Sequence, residues 1–227
     1  MKIKLLFFLL LISERLMAQT DINSLPAKII VSNKDTSKPV LLYISGDGGW
    51  NKFSTTLIQQ FADNGYPVVG LDAKSYFWEK KTPKQTAADV QRLLEKYCKD
   101  WKRNKVLLMG YSFGADVMPF VYNNISADWQ KKIKHQVLLS PSSKTDFEVH
   151  ISEMLGYRRK NGMSVIAEVN KITTCNILFL FGDDDNDFPL KELSIKNYKN
   201  ITLPGGHHFD NKPDEVFKNV QLSINSK

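Results

Sequence analysis

The stretch Gly110-Tyr111-Ser112-Phe113-Gly114 directly follows the apolar run 105–109 and opens an amphipathic pattern. This succession of strand, Gly-x-Ser-x-Gly and helix is typical of a nucleophile elbow, in which a sharp turn holds a serine hydroxyl at the edge of a sheet. Three fixed letters arise by chance in roughly one chain of this length in ten. The strand-to-helix setting and the residues farther along the chain therefore decide whether Ser112 is a nucleophile.

Two later loops offer partners for Ser112. The loop 182–189 follows the apolar run 177–181 and contains aspartates, and the loop 204–209 follows 201–203 and contains histidines. The chain order is therefore Ser, Asp, His, which is the order in α/β-hydrolases. Because open α/β sheets gather their chemistry at the carboxyl ends of the strands, we expect all three loops at one edge.

The acid has four candidates in one loop, namely Asp183, Asp184, Asp185 and Asp187. In many α/β-hydrolases the acid stands three residues after the strand-ending glycine, with a proline four residues later. Gly182, Asp185 and Pro189 fit this spacing. We therefore predict that Asp185 orients the histidine and stabilises its charged form. The other aspartates have an ordinary explanation as turn residues that bond nearby backbone amides.

A serine hydroxyl needs a neighbouring base to become a good nucleophile at neutral pH. We predict that this base is His207, because it directly follows two glycines after the last strand, the usual position in α/β-hydrolases. His208 is the alternative. Of the remaining histidines, His135 opens a strand at its wrong end, whereas His150 lies in a longer segment that could reach the pocket.

The tetrahedral intermediate of acyl transfer needs preorganised donors, each worth about 3 kcal/mol. One is predicted to be the amide of Phe113, directly after the nucleophile. The second is assigned to the amide of Asp47, with that of Gly48 next, in the glycine-rich loop 45–50. This loop lacks the Lys and Ser/Thr of a P-loop and the dinucleotide spacing, and the Cys and His residues lack zinc-finger spacing. No cofactor and no metal are therefore expected.

Short apolar runs alternate with helical patterns along the chain, which predicts an α/β fold with a mostly parallel central sheet and helices on both faces. The predicted strands are 27–32, 39–45, 67–72, 105–109, 136–139, 177–181 and 201–203, and the predicted helices are 54–64, 84–99, 113–124 and 214–224. The segment 140–171 has no clear strand and is expected to pass over the catalytic edge.

Residues 1–18 are predicted to form a signal peptide, with basic Lys2 and Lys4, an apolar run 5–12 and a cut after Ala18. The apolar run is too short to span a bilayer, which needs about 20 residues. The remaining 19–227 are long enough for one domain with a substantial core. The sequence thus predicts an exported, single-domain protein, and it does not indicate an oligomeric state.

The formal net charge is +7, and the lysine clusters are scattered along the chain. Such a surface favours contact with anionic phospholipid headgroups through long-range attraction. No nucleic-acid motif accompanies the clusters, so nucleic acid is not expected as a partner. Cys98 falls late in a helix and Cys175 just before a strand, and we predict that both are buried free thiols rather than a disulfide.

Several longer motifs resemble the VirJ/AcvB family of bacterial virulence-associated proteins. They are SGDGGW at 45–50, YFW at 76–78 ahead of KTP at 81–83, GYSFGADVMP at 110–119, DFEVH at 146–150 and PGGHHF at 204–209. The resemblance covers nearly the whole chain after residue 18, in the short form that lacks an extra N-terminal domain. It implies an α/β-hydrolase fold and a periplasmic location in a Gram-negative bacterium. AcvB-type members hydrolyse lysyl-phosphatidylglycerol.

On this resemblance, Ser112 attacks the carbonyl of a lysyl ester and His207 then activates water. A carboxylate in the pocket would favour the lysyl ammonium group, and Asp47 and Asp116 are the acidic residues closest in sequence to the reacting centre. For Asp116 a structural role, bonding loop amides behind the elbow, is the alternative. Four aromatic residues are predicted to hold the apolar part of the lipid, with core packing as the alternative: Trp50, Tyr76, Phe77 and Trp78.

Fold and triad do not determine the substrate. A second hypothesis keeps the triad and changes the substrate to another small ester, a thioester or a peptide. A third is non-enzymatic, a periplasmic binding factor for exported virulence proteins. The Ser, Asp and His set argues against pure binding, because a binding protein does not need it.

Overall fold

A computed structural model describes residues 21–32, 37–150, 161–185 and 187–225. The strands are β1 (Ala27–Ile30), β2 (Val40–Ile44), β3 (Val68–Leu71), β4 (Val106–Tyr111), β5 (Ile133–Leu139), β6 (Lys144–Thr145), β7 (Met163–Ser164), β8 (Asn176–Gly182) and β9 (Tyr198–Leu203). Seven of them form the central sheet, in the order β1-β3-β2-β4-β5-β8-β9. Within the large sheet only β1 runs antiparallel to its neighbour, so the predicted mostly parallel sheet is confirmed. The predicted signal peptide lies outside the described residues.

Helices join the strands and cover the sheet. They are α1 (Lys52–Asp63), α2 (Ala73–Tyr76), α3 (Pro83–Asp100), α4 (Phe113–Asn124), α5 (Ala127–Gln130), α6 (Val165–Val169) and α7 (Pro213–Asn225). The start of α3 shows why such boundaries can be predicted: Thr82 and Gln85 form a capping box, and Pro83 occupies the first turn, where its missing N–H costs nothing.

The sheet separates two apolar cores, which explains the helices on both faces. One core contains buried residues of α3 and α4 together with Leu108 of β4, and the other contains residues of α1 and α7 together with Leu107 and Met109. Side chains alternate across a strand, so a strand covered on both sides is apolar throughout. Strand β4 is buried at all six positions, and it ends at Tyr111, directly before Ser112.

The observed elements differ from the predicted ones where local patterns are mixed. Strand β5 begins at Ile133 rather than at 136. Its start was predicted too late because exposed Lys134 and half-buried His135 interrupt the apolar pattern. The segment 140–171 was expected without a clear strand, yet it includes the antiparallel pair β6 and β7 as well as α6. Two-residue strands are too short to produce a recognisable period.

Both cysteines are buried free thiols, as predicted. Burial raises the pKa of Cys98 and of Cys175 to about 11 in each case. Because the thiolate is the reactive form, these groups are unreactive at neutral pH. In the part of the chain that the structure describes, no helix has the length and apolar character needed to cross a membrane.

Candidate active site

Ser112 sits on a strained turn between β4 and α4. Its backbone φ is 51° and its ψ is −119°, a conformation that a residue with a Cβ rarely adopts. The flanking glycines make this turn possible. A Cβ on Gly110 would lie 2.3 Å from the Gly114 carbonyl oxygen, and one on Gly114 would lie 2.1 Å from the Ile44 carbonyl oxygen of β2. The sequence motif therefore forms the turn expected of a nucleophile elbow.

The predicted partners of Ser112 meet it through a continuous chain of hydrogen bonds. The Nε2 atom of His207 lies 2.9 Å from the Ser112 hydroxyl oxygen. On the other side of the ring, Nδ1 of His207 lies 3.0 Å from Oδ1 of Asp185. The three residues come from the loops after β4, β8 and β9, so the parallel sheet has brought together residues that are far apart in sequence.

Two aspartates in the loop after β8 make different contacts. Asp185 contacts His207 and also accepts a hydrogen bond from the Gly182 N–H at 3.0 Å. Asp183 instead accepts hydrogen bonds from the backbone N–H groups of Gly205 and Gly206, at 3.2 and 3.0 Å. It thereby ties the aspartate loop to the histidine loop, a contact that the sequence did not suggest.

The two adjacent histidines also differ in their contacts. His208 is exposed, and its Nδ1 lies 2.8 Å from the Tyr111 hydroxyl. The same hydroxyl donates to the backbone carbonyl of His207 at 3.2 Å. His207 is thus the histidine that reaches Ser112, and Tyr111 holds the backbone of the pair in place. Sequence reasoning missed Tyr111, although its position beside the serine was a signal.

The directions in which the pKa values of His207 and Asp185 are shifted agree with the hydrogen bond between them. Burial opposes the charged form of His207, but the hydrogen bond and charge of Asp185, helped by the charges of Asp116 and Asp47, offset it and raise the pKa of the imidazole. Burial likewise opposes ionisation of Asp185, yet hydrogen bonds from His207, Ser140 and Gly182 lower the pKa of its carboxyl group. The site therefore favours an ionised acid beside a histidine that accepts a proton readily.

The two segments predicted to supply oxyanion donors lie next to the nucleophile. Phe113 is the first residue of α4, directly after Ser112. A Cβ on Gly46 would lie 3.4 Å from the Cβ of Ser112, so the loop after β2 approaches the serine closely. Asp47 follows in this loop and is half-buried. The Phe113 and Asp47 amides remain our prediction for the donors.

The aromatic residues predicted to bind lipid are mostly packing residues. Phe77 is completely buried and packs edge-on against Phe113, with ring centroids 5.0 Å apart. Tyr76 is 5% exposed, and its hydroxyl donates to Asp89 of α3. In this conformation neither ring is open to a ligand, because tertiary packing against α3 and α4 covers them.

The two tryptophans differ from each other. The ring of Trp50 lies over the sheet, stacked on Tyr43 at 6.0 Å and close to Gly70, where an added Cβ would come within 2.4 Å of the ring. The half-buried Trp50 ring therefore packs on the sheet, and its contact with lipid remains a prediction. Trp78 is 56% exposed and is accessible to a ligand.

Asp116 has the structural contact that was the alternative to substrate binding. It is 5% exposed, and its Oδ1 accepts a hydrogen bond from the Ser142 N–H at 2.6 Å. The carboxylate therefore fastens the loop after β5 to the elbow helix. Its charge still acts on His207, although its side chain is covered.

His150, which the sequence placed within possible reach of the pocket, belongs to another cluster of titratable side chains. Its Nε2 lies 2.7 Å from Oδ2 of Asp146. With Glu148, these residues offer ligand atoms within 4.8 Å of one another, close enough to hold a metal ion. Exposed acidic groups commonly lie this close without an ion, so we assign none.

The strand order, the elbow after β4 and the loops after β8 and β9 define the class: the chain has the α/β-hydrolase fold. MenH from S. aureus is similar, at 16% identity and a TM-score of 0.61, over 87% of this chain and 96% of that one. Est1E from Butyrivibrio proteoclasticus is 17% identical with a TM-score of 0.61, over 88% and 94%. Esterase EaEST from Exiguobacterium antarcticum is 12% identical with a TM-score of 0.62, over 88% and 95%.

Within this class the chain belongs to the VirJ family. Residues 38–227 match the model of this family, which is described as bacterial virulence protein (VirJ). The resemblance drawn from the sequence motifs is thus confirmed. Among curated proteins nothing matches the chain.

Proposed function

We propose that this protein is a serine-dependent carboxylic ester hydrolase. The observation that carries the proposal is the unbroken hydrogen-bonded series from Ser112 through His207 to Asp185, with the serine on a positive-φ turn. Such strain persists only where the surrounding structure holds it, and it gathers at functional sites. Family and fold both support a hydrolase.

In the first half of the reaction, the Ser112 oxygen attacks the ester carbonyl carbon while its proton passes to Nε2 of His207. Asp185 keeps the Nδ1–H of the ring pointing toward itself and stabilises the imidazolium. The oxyanion that forms is stabilised by the N–H groups of Phe113 and Asp47. Collapse of the intermediate breaks the ester bond, and His207 returns its proton to the leaving alcohol.

In the second half, a water molecule loses a proton to His207 and attacks the acyl-serine. Collapse of this second tetrahedral intermediate releases the carboxylic acid, and the proton on His207 restores the Ser112 hydroxyl. Water has then been added across the ester bond, and no other reactant is required.

We propose that the substrate is the lysyl ester of an aminoacylated phosphatidylglycerol. The motif resemblance to lysyl-phosphatidylglycerol hydrolases suggests this substrate, and the charges around the site support it. Asp47 and Asp116 both act on His207, so a cationic acyl group enters a region of negative potential. Because Asp116 is buried and Asp47 is half-buried, the Asp47 carboxylate is the better placed to meet a substrate ammonium group.

The proposed setting is the periplasm. It rests on the predicted signal peptide and on the family resemblance. Residues 1–18 contain three of the 31 basic and one of the 24 acidic residues, so the mature chain keeps a net charge of +5. This basic charge favours peripheral contact with anionic phospholipid, the surface on which an aminoacylated lipid is found.

The test is lysine release from lysyl-phosphatidylglycerol vesicles by the purified mature protein, run beside Ser112→Ala. Release by the wild type alone is the expected result. Turnover confined to short acyl esters would remove the lipid assignment and keep the esterase. A Ser112→Ala protein that retains full biological function would contradict the enzyme hypothesis and favour a binding role.

A second arm tests the role of the Asp47 carboxylate. Asp47→Asn should lower kcat/KM for the lysyl ester about tenfold more than for a short neutral ester. Only the lysyl ester has an ammonium group that would lose its ionic partner. Taking this ratio cancels any effect of Asp47 on His207 itself. Asp128→Asn, at an exposed position of α5, is the matched control and should leave the ratio unchanged. An unchanged ratio in Asp47→Asn would show that this carboxylate does not select the substrate.

A further inference from the structure

A buried hydroxyl next to the nucleophile contacts the backbone of the triad histidine. Tyr111 ends β4 directly before Ser112 and is 3% exposed. Its hydroxyl oxygen lies 3.2 Å from the carbonyl oxygen of His207 and 2.8 Å from Nδ1 of His208. The Ser140 hydroxyl oxygen is farther from the same carbonyl oxygen, at 3.4 Å. Tyr111 is therefore the nearer donor, and it contacts groups on both sides of the peptide bond between the two histidines.

Both Tyr111 contacts are hydrogen bonds only with one arrangement of protons. A tyrosine hydroxyl has one proton to give, and a carbonyl oxygen can only accept. The Tyr111 proton must therefore go to the His207 carbonyl. Nδ1 of His208 must then carry a proton that it donates to the Tyr111 oxygen. The three groups form a relay in one direction, from the His208 ring through Tyr111 to the His207 carbonyl.

The Tyr111 side chain is held in place and keeps its proton. Its ring packs against Phe53 and Phe209, with ring centroids 5.0 and 6.5 Å apart. Burial, together with the charges of Asp185 and Asp47, raises the pKa of the Tyr111 hydroxyl. The hydroxyl is therefore protonated at neutral pH and is available as a donor.

The loop that carries His207 has left-handed residues on both sides of it. Gly205 and Gly206 precede His207 with φ of 98° and 56°. Three residues that follow shortly after also have positive φ, namely Phe209, Asp210 and Asn211. For residues other than glycine this conformation is costly, and it persists only where the surrounding structure holds it. A hydrogen bond to the His207 carbonyl acts in the middle of this strained stretch.

We propose that Tyr111 is a positioning residue of the triad, whose hydroxyl holds the His207 carbonyl so that the ring stays between Ser112 and Asp185. The inference rests on the proposed function, since it concerns how Ser112 is activated. Tyr111 takes no proton from the serine. It acts through the backbone, because a shift of His207 would move its Nε2 away from the Ser112 oxygen, which lies 2.9 Å from it.

The first measurement is the tautomer of His208, read from the ring nitrogen chemical shifts of the isotope-labelled mature protein. At a pH where this ring is neutral, its proton should be held on Nδ1, because the Tyr111 oxygen accepts from it. In Tyr111→Phe the ring should exchange between its two tautomers. The spectrum of His208→Ala assigns the signals. A neutral His208 whose proton is not held on Nδ1 in the wild type would overturn the proposal.

The second measurement is the rate at which a fluorophosphonate probe labels Ser112, which reports activation of the serine without knowledge of the natural substrate. Tyr111→Phe keeps the ring and removes only the hydroxyl, and its labelling rate should fall about tenfold. His208→Ala should slow labelling by about twofold at most, because Tyr111 still donates to the His207 carbonyl.

A matched control separates this hydroxyl from buried tyrosine hydroxyls in general. Tyr122 is 2% exposed, and its hydroxyl bonds Thr174 at 2.6 Å. Tyr122→Phe removes that hydroxyl and should label at the wild-type rate. Circular dichroism first establishes that every variant is folded. If Tyr111→Phe does not fold, the tautomer of His208 in the wild type still decides.

The outcomes distinguish this inference from the proposed function. A folded Tyr111→Phe protein with the wild-type labelling rate, or slowing in His208→Ala or Tyr122→Phe equal to that in Tyr111→Phe, would overturn the role of Tyr111. The wild type is still labelled in those cases, so the serine hydrolase stands. No labelling of the wild type at any pH would overturn the proposed function, and the role of Tyr111 with it.

Discussion

At the scale of single residues, the site depends on which of several similar side chains make contact. Four aspartates share one loop, and two histidines are adjacent. Asp185 and His207 form the contact of 3.0 Å that orients the ring, whereas His208 turns to Tyr111. Spacing relative to Gly182 and to the paired glycines was enough to select the same two residues, because those glycines set where each loop turns.

The first prediction concerns the adjacent histidines. His207→Ala should lower kcat/KM for a short acyl ester by about 10⁴-fold or more, because loss of a triad member removes the base. His208→Ala should cost less than about tenfold, since it removes only a contact with the Tyr111 hydroxyl. Steady-state kinetics of both purified variants check this. Comparable losses, or the reverse order, would refute the assignment of His207.

The second prediction concerns pH. The base must be neutral to accept the serine proton, so kcat/KM should rise with pH and reach half its plateau above pH 6.5, the usual histidine pKa, because the pKa of His207 is raised. Asp185→Asn removes the main groups that raise this pKa and leaves burial, which lowers it. The midpoint should then fall, together with a plateau lower by about 10⁴-fold.

A pH–rate profile of both proteins checks this expectation. A wild-type midpoint at or below 6.5, or an upward shift in Asp185→Asn, would contradict it. Asp128→Asn, which removes an exposed carboxylate paired with Lys131, is the control and should reproduce the wild-type profile.

At the scale of elements, the elbow is held by close backbone contacts between β2, β4 and α4. Helix α4 begins at Phe113, one residue after the strained serine. Its Gly114 packs so closely against β2 that an added Cβ would clash with the β2 backbone. Such packing leaves no space for a side chain. The Gly-x-Ser-x-Gly pattern therefore reflects the close packing of three elements as well as the local turn.

The third prediction tests this packing. Gly114→Ala should destabilise the protein by about 2 kcal/mol, because its Cβ would lie 2.1 Å from the Ile44 carbonyl oxygen. For a chain of this size the melting temperature should fall by about 5 °C. Gly48→Ala is the matched control, since nothing lies within 4 Å of its added Cβ. Calorimetry of both variants decides, and equal melting temperatures would show that β2 and α4 can move apart freely.

At the scale of the whole molecule, one parallel sheet explains how residues 112, 185 and 207 meet. The carboxyl ends of β4, β8 and β9 lie at the same edge, and helices on both faces bury the sheet in two cores. Parallel strands need crossover connections, so neighbouring loops at one edge are necessarily distant in sequence. The proposed export of this molecule adds a prediction at the same scale.

The fourth prediction is that the protein is cut after Ala18 during export. Protein recovered from the periplasm of a Gram-negative host should begin at Gln19, as read by intact mass and N-terminal sequencing. Ala18→Leu places a large residue at the cut and should leave the chain unprocessed. Full-length wild-type protein confined to the cytoplasm would contradict the predicted signal peptide.

Much of the fold could be predicted because it depends on periodicity along the chain. All seven strands of the large sheet and the four longest helices follow from apolar runs and from helical spacing. The short pieces could not be predicted, since β6, β7 and α6 contain too few residues to show a period. The start of β5 was placed late because exposed Lys134 and half-buried His135 interrupt its apolar pattern.

The sequence by itself determined the fold class, the elbow and the chain order of Ser112, Asp185 and His207, because apolar runs and the residues that directly follow each strand are visible in it. The tertiary structure alone decided which residues surround the triad. It joined Asp183 to the backbone of the histidine loop, buried Phe77 and Tyr76, and gave Asp116 a structural hydrogen bond. These contacts join segments distant in the chain, and they follow from how the strands and helices pack rather than from any local pattern.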